Sequence, residues 1–185
     1  MLGFVSTIFI DDTLLMGDSE KECVQNVKSW LALFKSPGFA VHTTKSVLTP
    51  SHKTIYLGFE IDSQSMTVVP NLERKQRILS TASKLLTGSS STVRELGQLI
   101  GQDVSCFQGV KFDPIWYRYM ENDKIRILKQ SKGDYESIEV FSNEAKSEMI
   151  WWTENIMSSF SDVHSDHSEP DFVHRRLFDR LGLFL

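Results

Sequence analysis

The chain has 185 residues, a hydrophobic fraction of 41% and a formal net charge of −4. This length accommodates one domain or two small ones, and the hydrophobic fraction is sufficient for a buried core. No apolar run approaches the roughly 20 residues of a membrane span, no basic segment of a signal peptide opens the chain, and the two cysteines, Cys23 and Cys106, are too far apart to indicate a disulfide framework. These features predict an intracellular protein of the cytoplasm or nucleus, neither secreted nor bound in a membrane.

The first predicted element is a β-hairpin with an acidic turn. Short apolar runs flank Asp11 and Asp12, and runs of this length predict two strands joined by a turn. Two close carboxylates raise each other's pKa unless a cation neutralises them, and magnesium prefers such oxygen ligands. A solvated turn explains the same pair, because Asp is an ordinary turn residue. A phosphatase with an aspartyl nucleophile is excluded, because its loop needs Asp-x-Asp-x-Thr.

A helix and further strands follow this hairpin. A capping box of Ser19 and Glu22 predicts the start of the helix, and Pro37 predicts its end. Extended segments are predicted at residues 39–42, 54–61 and 66–69. These elements indicate an α+β fold, with an antiparallel sheet and a packed helix over residues 1–70.

The pattern becomes helical after Pro70. A second capping box, Thr92 with Glu95, begins one helix, and Asp113 followed by Pro114 begins another. Helices are predicted over residues 71–86, 92–105, 113–130 and 143–156. Residues 71–132 carry eleven basic and six acidic side chains, whereas the net charge is −2 in residues 1–70 and −7 in residues 133–185. Because a local patch determines attraction to phosphate, the middle of the chain is the candidate for binding nucleic acid.

Several short motifs, taken in order, resemble those of reverse transcriptases. Residues 9–12, Phe-Ile-Asp-Asp, resemble the Y/F-x-D-D box of that family. Gly38-Phe39 with Lys45-Ser46 resembles the next motif of the polymerase palm. Residues 56–59, Tyr-Leu-Gly-Phe, resemble the hairpin that grips the primer. The stretches at 65–68 and 92–101 are similar to polymerases of tyrosine-recombinase (DIRS-like) retrotransposons, and the resemblance runs from about residue 2 to residue 155.

The resemblance implies an RNA-directed DNA polymerase that uses Mg²⁺, deoxynucleotides and a primed RNA or DNA template. Residues 1–70 would be part of the palm, 71–132 a helical thumb and 133–157 a connection helix. By resemblance, Asp11 and Asp12 would hold the metal and Lys45 would protonate the departing pyrophosphate. A solvated lysine is the alternative for Lys45.

The resemblance also implies contacts with the nucleic acid. Tyr56, Leu57, Gly58 and Phe59 would form the primer grip, although an ordinary hairpin core explains the same alternation. Trp116, Tyr117 and Tyr119 are candidates either for base stacking or for an aromatic core. The basic residues that would line a groove for the primer-template backbone are Arg74, Lys75, Arg77, Lys84 and Arg94, with solvated helix faces as the alternative.

Two parts of a complete reverse transcriptase are expected to be missing. The fingers and the first catalytic aspartate would lie upstream, so we expect the isolated chain to be inactive. Residues 158–185 are predicted to be a linker, in which His164 and His167 are not a metal site, followed by a frameshifted tail that replaces an RNase H domain. The alternatives are a noncatalytic nucleic-acid-binding module and a nonfunctional product of a decayed element.

Overall fold

The computed structural model describes residues 5–88, 91–111 and 115–163. The predicted helix start at Asp113-Pro114, the histidines at 164 and 167, and the predicted frameshifted tail lie outside these residues. The fold is α+β, as predicted, with antiparallel sheets and five helices in the described part of the chain. The strands are β1 (Val5–Phe9), β2 (Asp12–Met16), β3 (Lys53–Tyr56), β4 (Phe59–Asp62), β5 (Thr67–Pro70) and β6 (Ser161–Asp162), and the helices are α1 (Glu20–Lys35), α2 (Leu72–Thr87), α3 (Val93–Val104), α4 (Arg118–Gln130) and α5 (Asn143–Asn155).

Strands β1 and β2 form a separate two-stranded antiparallel hairpin that α1 covers on one side. The Ser19 hydroxyl caps α1 by accepting a hydrogen bond from the Glu22 amide at 3.2 Å. The Glu22 carboxylate accepts from the Asp18 amide, one residue earlier than a capping box requires. Asn26 donates to the carbonyl of Met16 at 2.8 Å and fixes the helix to β2.

The other four strands form one antiparallel sheet in the order β3-β4-β5-β6. The predicted extended segment 54–61 is folded at a two-residue turn into the β3–β4 hairpin. The prediction of an extended segment at residues 39–42 was wrong, because these residues form no strand. Phe39 instead packs against the ring of Phe34 in α1. The linker prediction was wrong at Ser161 and Asp162, which pair with β5. Because Ser161 and Asp162 are both polar, their sequence shows no alternation of apolar and polar residues. The strand is therefore recognised only from its backbone pairing with β5.

Helices α2 to α5 pack into a bundle that contains most of the hydrophobic core. The helix predicted from residue 71 begins at Leu72 with Asn71 as its N-cap, and Thr92 with Glu95 forms the complete reciprocal capping box. The third predicted helix begins at Arg118, later than predicted, because residues 115–117 adopt 3-10 and turn conformations instead of α-helix. The largest fully buried side chains of the bundle are Trp152, Ile78, Leu96, Leu99, Met120, Ile127, Met149 and Ile156.

Helix α5 packs against both α2 and α4, and two carboxylates join it to α4. Glu148 of α5 accepts hydrogen bonds from the amides of Tyr119 and Met120 at 3.0 and 2.9 Å, where α4 begins. Asp123 of α4 accepts from the amide of Ser142, which caps α5. Each carboxylate thus satisfies backbone donors that the other helix cannot pair within itself. The assignment of α5 to a connection separate from the thumb stays a prediction.

Sheet and bundle are joined through the end of β5 and the segments after α3 and α5. Gly109 lies so close to Pro70 that a side chain there would collide with it and would crowd the ring of Phe59. The amide of Lys111 donates to the carbonyl of Phe160, just before β6. Within the three described ranges, every helix is too short or too polar to cross a bilayer.

Candidate functional site

The acidic turn lies at the exposed tip of the β1–β2 hairpin. Phe9 and Asp12 form the last strand pair, so Ile10 and Asp11 are the two turn residues. Both aspartates are exposed to solvent. Ile10 has a φ of +54°, which is unusual for a β-branched residue, and strain of this kind tends to occur at functional sites. The turn therefore presents two adjacent carboxylates that a cation can reach.

The donors present match the carboxylate part of a magnesium site. Magnesium is usually held by one or two carboxylates together with waters and substrate phosphates. In the described residues no group of three or more His, Cys, Asp or Glu side chains is placed to hold a metal ion. The two aspartates alone thus supply only part of a coordination shell.

Tyr56, at the end of β3, places the second hairpin beside the acidic one. Its ring is buried, with 7% of its surface exposed, and Thr7 of β1 is equally buried. Burial raises the pKa of Tyr56, the neighbouring Thr7 side chain lowers it, and the Asp12 carboxylate raises it further. These influences place the end of β3 against β1 and within electrostatic reach of Asp12. The structure thus places Tyr56, one of the four residues of the predicted primer grip, beside the acidic hairpin.

The predicted primer grip is the turn of the β3–β4 hairpin. Leu57 and Gly58 have φ values of +50° and +79°, which suit a two-residue hairpin turn that follows the twist of the strands. The rings of Tyr56 and Phe59 are buried, which favours packing over contact with bases. Leu57 and Gly58 are half-buried, so the turn is more exposed than the two rings that flank it. A role in gripping a primer stays a prediction.

Arg74, in the first turn of α2, contacts this hairpin directly. Its guanidinium donates to the carbonyl of Leu57 at 2.9 Å and to the carbonyl of Ser105 at 2.8 Å. The same group lies over the ring of Phe59, 4.7 Å from its centroid. A β-carbon at position 58 would come within 2.8 Å of the guanidinium, so a larger residue there would require the Arg74 side chain to move. No local sequence pattern indicates this arrangement.

Lys75 was predicted to bind phosphate, but only 7% of its surface is exposed to solvent. Its ammonium donates to the carbonyls of Met157 and Ser159 at 3.0 and 3.3 Å. Burial lowers the pKa of Lys75, while the charges of Glu60 and Cys106 raise it. The contacts favour a structural role, in which Lys75 ties the chain after α5 to α2.

The other three predicted phosphate ligands are exposed and already paired with carboxylates. Arg77 pairs with Glu73 at 2.7 Å, Lys84 of α2 pairs with Glu95 of α3, and Arg94 pairs with Glu136. Exposed pairs of this kind contribute about 0–1 kcal/mol, so a phosphate can replace the carboxylate at little cost. The positive charges of these three residues are therefore balanced by neighbouring carboxylates.

Lys45 lies in the irregular segment between α1 and β3. It is exposed, and its amide donates to the carbonyl of His42 within a turn. In the part of the chain that the structure describes, no ion pair joins its ammonium to Asp11 or Asp12. Its predicted role as a proton donor is not supported by a contact in this structure.

The candidate aromatic residues for base stacking pack mainly against other rings. Trp116 stacks on Trp151 with centroids 5.0 Å apart, and its carbonyl accepts from the indole of Trp152 at 2.8 Å. Tyr117 leans on Phe107. Tyr119, in contrast, is 53% exposed. The arrangement favours the aromatic-core alternative for Trp116 and Tyr117.

No protein-family model matches the chain, and no curated protein matches its sequence. A solved structure does match: a foamy viral protease-reverse transcriptase in complex with double-stranded DNA. The TM-score is 0.62 and the identity 15%, over 83% of this chain and 24% of the viral chain. At this identity the likeness shows the fold alone. The chain therefore has a reverse-transcriptase-like fold that corresponds to about a quarter of the viral protein.

Proposed function

We propose that the chain is the palm and thumb portion of the reverse transcriptase of a DIRS-like retrotransposon. The observation that carries the proposal is the position of Tyr56. Its side chain lies beside Thr7 of the acidic hairpin and within electrostatic reach of Asp12, in a chain with a reverse-transcriptase-like fold, and this supports a shared site for the two hairpins. The order of the sequence motifs at residues 9–12, 38–46 and 56–59 supports the same assignment, and the stretches at 65–68 and 92–101 support the DIRS-like subtype.

In the complete enzyme, Asp11 and Asp12 would hold magnesium. Bound divalent ions stabilise the attacking and leaving oxygens when a nucleotide is transferred to a primer. The two aspartates provide the charge and oxygen ligands on one side of that site, and Lys45 is the proposed proton donor to pyrophosphate. Further carboxylate ligands would come from the upstream palm. We therefore expect weak magnesium binding and no polymerisation by the 185-residue chain alone.

Two measurements test this proposal. Fluorescence anisotropy with a DNA primer annealed to an RNA template should detect salt-sensitive binding, because phosphate contacts release counterions. A magnesium titration followed by NMR should shift the amide signals of residues 10–13, and Asp12→Asn should weaken that response. Absence of binding to the primer-template would overturn the proposal. Magnesium-dependent primer extension by the purified chain would contradict the expected inactivity.

A noncatalytic nucleic-acid-binding module is the second candidate. The observation in its favour is that the two exposed aspartates are not joined by a third acidic ligand in the described residues. This candidate predicts that Asp12→Asn leaves both the affinity for a primer-template and its magnesium dependence unchanged. The proposed polymerase fragment predicts that added magnesium strengthens binding of the wild type and has less effect on the variant.

A further inference from the structure

The contacts of Arg74 differ from those of the other exposed or half-buried basic residues of α2. Arg77 and Lys84 each face a carboxylate on the surface. Arg74 instead directs its donors to two backbone carbonyls, one from the 57–58 turn and one from the end of α3. Charged donors of this kind make strong hydrogen bonds, and the planar guanidinium can serve two acceptors at once.

The surroundings of the guanidinium leave little opportunity for a phosphate. One face covers the ring of Phe59, and the backbone of Gly58 closes in from the side. The side chain is half-buried. Two of its five N–H donors already serve carbonyls, and a phosphate would have to reach the remaining donors from the sides that Phe59 and Gly58 leave open.

We propose that Arg74 is a positioning residue, which holds the 57–58 turn against α2 and α3 and acts on bound nucleic acid only through that turn. This inference rests on the proposed function, in which the turn contacts the primer. On this inference Arg74 does not bind phosphate, although its charge suggests the same role as Arg77 and Lys84. It also explains why glycine occupies position 58, since a larger residue would displace the guanidinium.

The variants Arg74→Lys and Arg74→Met distinguish the two roles. Lysine keeps the charge but cannot donate to two carbonyls while lying flat on an aromatic ring. A positioning role therefore predicts that both variants lose affinity for a primer-template by about tenfold, the loss expected for one charged hydrogen bond. A phosphate-binding role predicts that lysine largely restores affinity. Arg77→Met is the matched control, because it removes the same charge one turn further along α2.

The salt dependence of primer-template binding is a second criterion, because a general loss of protein stability would not change it. Each phosphate contact contributes about 0.9 to the slope of log affinity against log salt concentration. The residues of the turn are uncharged, so Arg74→Met should lower affinity with the slope unchanged. A slope reduced by about 0.9, with affinity restored in Arg74→Lys, would overturn the positioning role.

Amide hydrogen exchange tests the turn without nucleic acid. The amides of residues 56–60 should exchange at least threefold faster in both Arg74 variants than in the wild type or in Arg77→Met. Equal exchange in all four proteins would overturn the inference even if the wild type binds a primer-template. If the wild type does not bind, the proposed function fails, and the positioning of a nucleic-acid contact fails with it. All assays use the full chain below its melting temperature.

Discussion

The acidic hairpin with α1 and the helical bundle differ most in how their side chains are buried. No hydrophobic residue in the segment 5–55 is fully buried, whereas the bundle contains a continuous core around Leu96 and Trp152. In the acidic hairpin, Ile8, Phe9 and Ile10 are 54%, 46% and 81% exposed. The stability of the fold therefore resides in the bundle, while the proposed metal ligands lie in a region that contributes little to it.

This difference follows from what each region can cover by itself. Four helices enclose a core between them, but a two-stranded hairpin with one helix leaves its other face in contact with solvent. If the chain is part of a palm, further strands would cover that face in the complete enzyme. The comparison predicts unequal responses to mutation, which the following variants test in order of decreasing effect.

The largest effect is expected for Leu96→Ala in the core of the bundle. Leu96 is fully buried, so truncation should cost about 2–5 kcal/mol of unfolding free energy through lost burial and a cavity. The matched variant, Phe9→Ala in the acidic hairpin, should cost well under about 1 kcal/mol despite the larger side chain removed. Urea unfolding of both variants measures this. Equal losses would show that the hairpin shares the stability of the core.

The second prediction concerns Glu148, which joins α4 to α5. Removing its carboxylate in Glu148→Ala would leave the amides of Tyr119 and Met120 without partners, at a cost of about 1–3 kcal/mol. Glu154→Ala is the control, because that glutamate is exposed on the same helix and should change stability by less than about 0.5 kcal/mol. A loss no larger than that of the control would exclude a capping role for Glu148.

Glu148 also predicts a particular dependence of stability on pH. Burial raises its pKa above the ordinary value near 4.5, although its hydrogen bonds to backbone amides lower it. The folded protein therefore binds this proton more tightly than the unfolded chain does. Its contribution to stability is largest below pH 4.5 and is lost as the pH rises through the raised value. Urea midpoints measured across this range should show the decline in the wild type and less of it in Glu148→Gln.

The third prediction concerns Asp62 in the sheet, whose pKa is lowered, whereas the pKa of Glu148 is raised. Asp62 accepts from the ammonium of Lys53 and from the amides of Gln64 and Ser65, and these contacts hold its pKa at about 2. Its contribution is complete above the unfolded value near 3.8 and is lost as the pH falls through about 2. Asp62→Asn should remove that part of the acid destabilisation. If Asp62→Asn loses as much stability at low pH as the wild type does, the contribution assigned to Asp62 is wrong.

Much of the bundle was predictable from sequence, because local signals determine helix ends. Asn71 and Thr92 cap helices where polar side chains precede apolar periodicity. The sequence also indicated the β1–β2 turn, since an acidic pair separates two apolar runs. Neighbouring residues in the chain carry all of these signals.

The features that could not be predicted depend on residues far apart in the chain. Arg74 and Lys75 look equivalent in sequence, yet one grips the 57–58 turn and the other is buried beneath the segment after α5. Ser161 and Asp162 become a strand only because β5 offers a free edge. Even the charge of the basic segment is misleading, because Arg94 meets its carboxylate partner, Glu136, across a long separation in sequence.

The smallest effect is expected in the acidic turn, at Ile10. Glycine adopts a φ of +54° without the steric cost that a β-branched residue incurs, and the 81% exposed side chain of Ile10 contributes little burial to lose. Ile10→Gly should therefore increase the unfolding free energy by about 0.5–1 kcal/mol if the hairpin unfolds together with the bundle. If the hairpin opens independently, urea unfolding of the bundle will not change, and only the amides of residues 6–15 will exchange more slowly. A loss of stability would mean that the isoleucine side chain makes contacts that outweigh the strain, and the two regions would then differ less than their burial indicates.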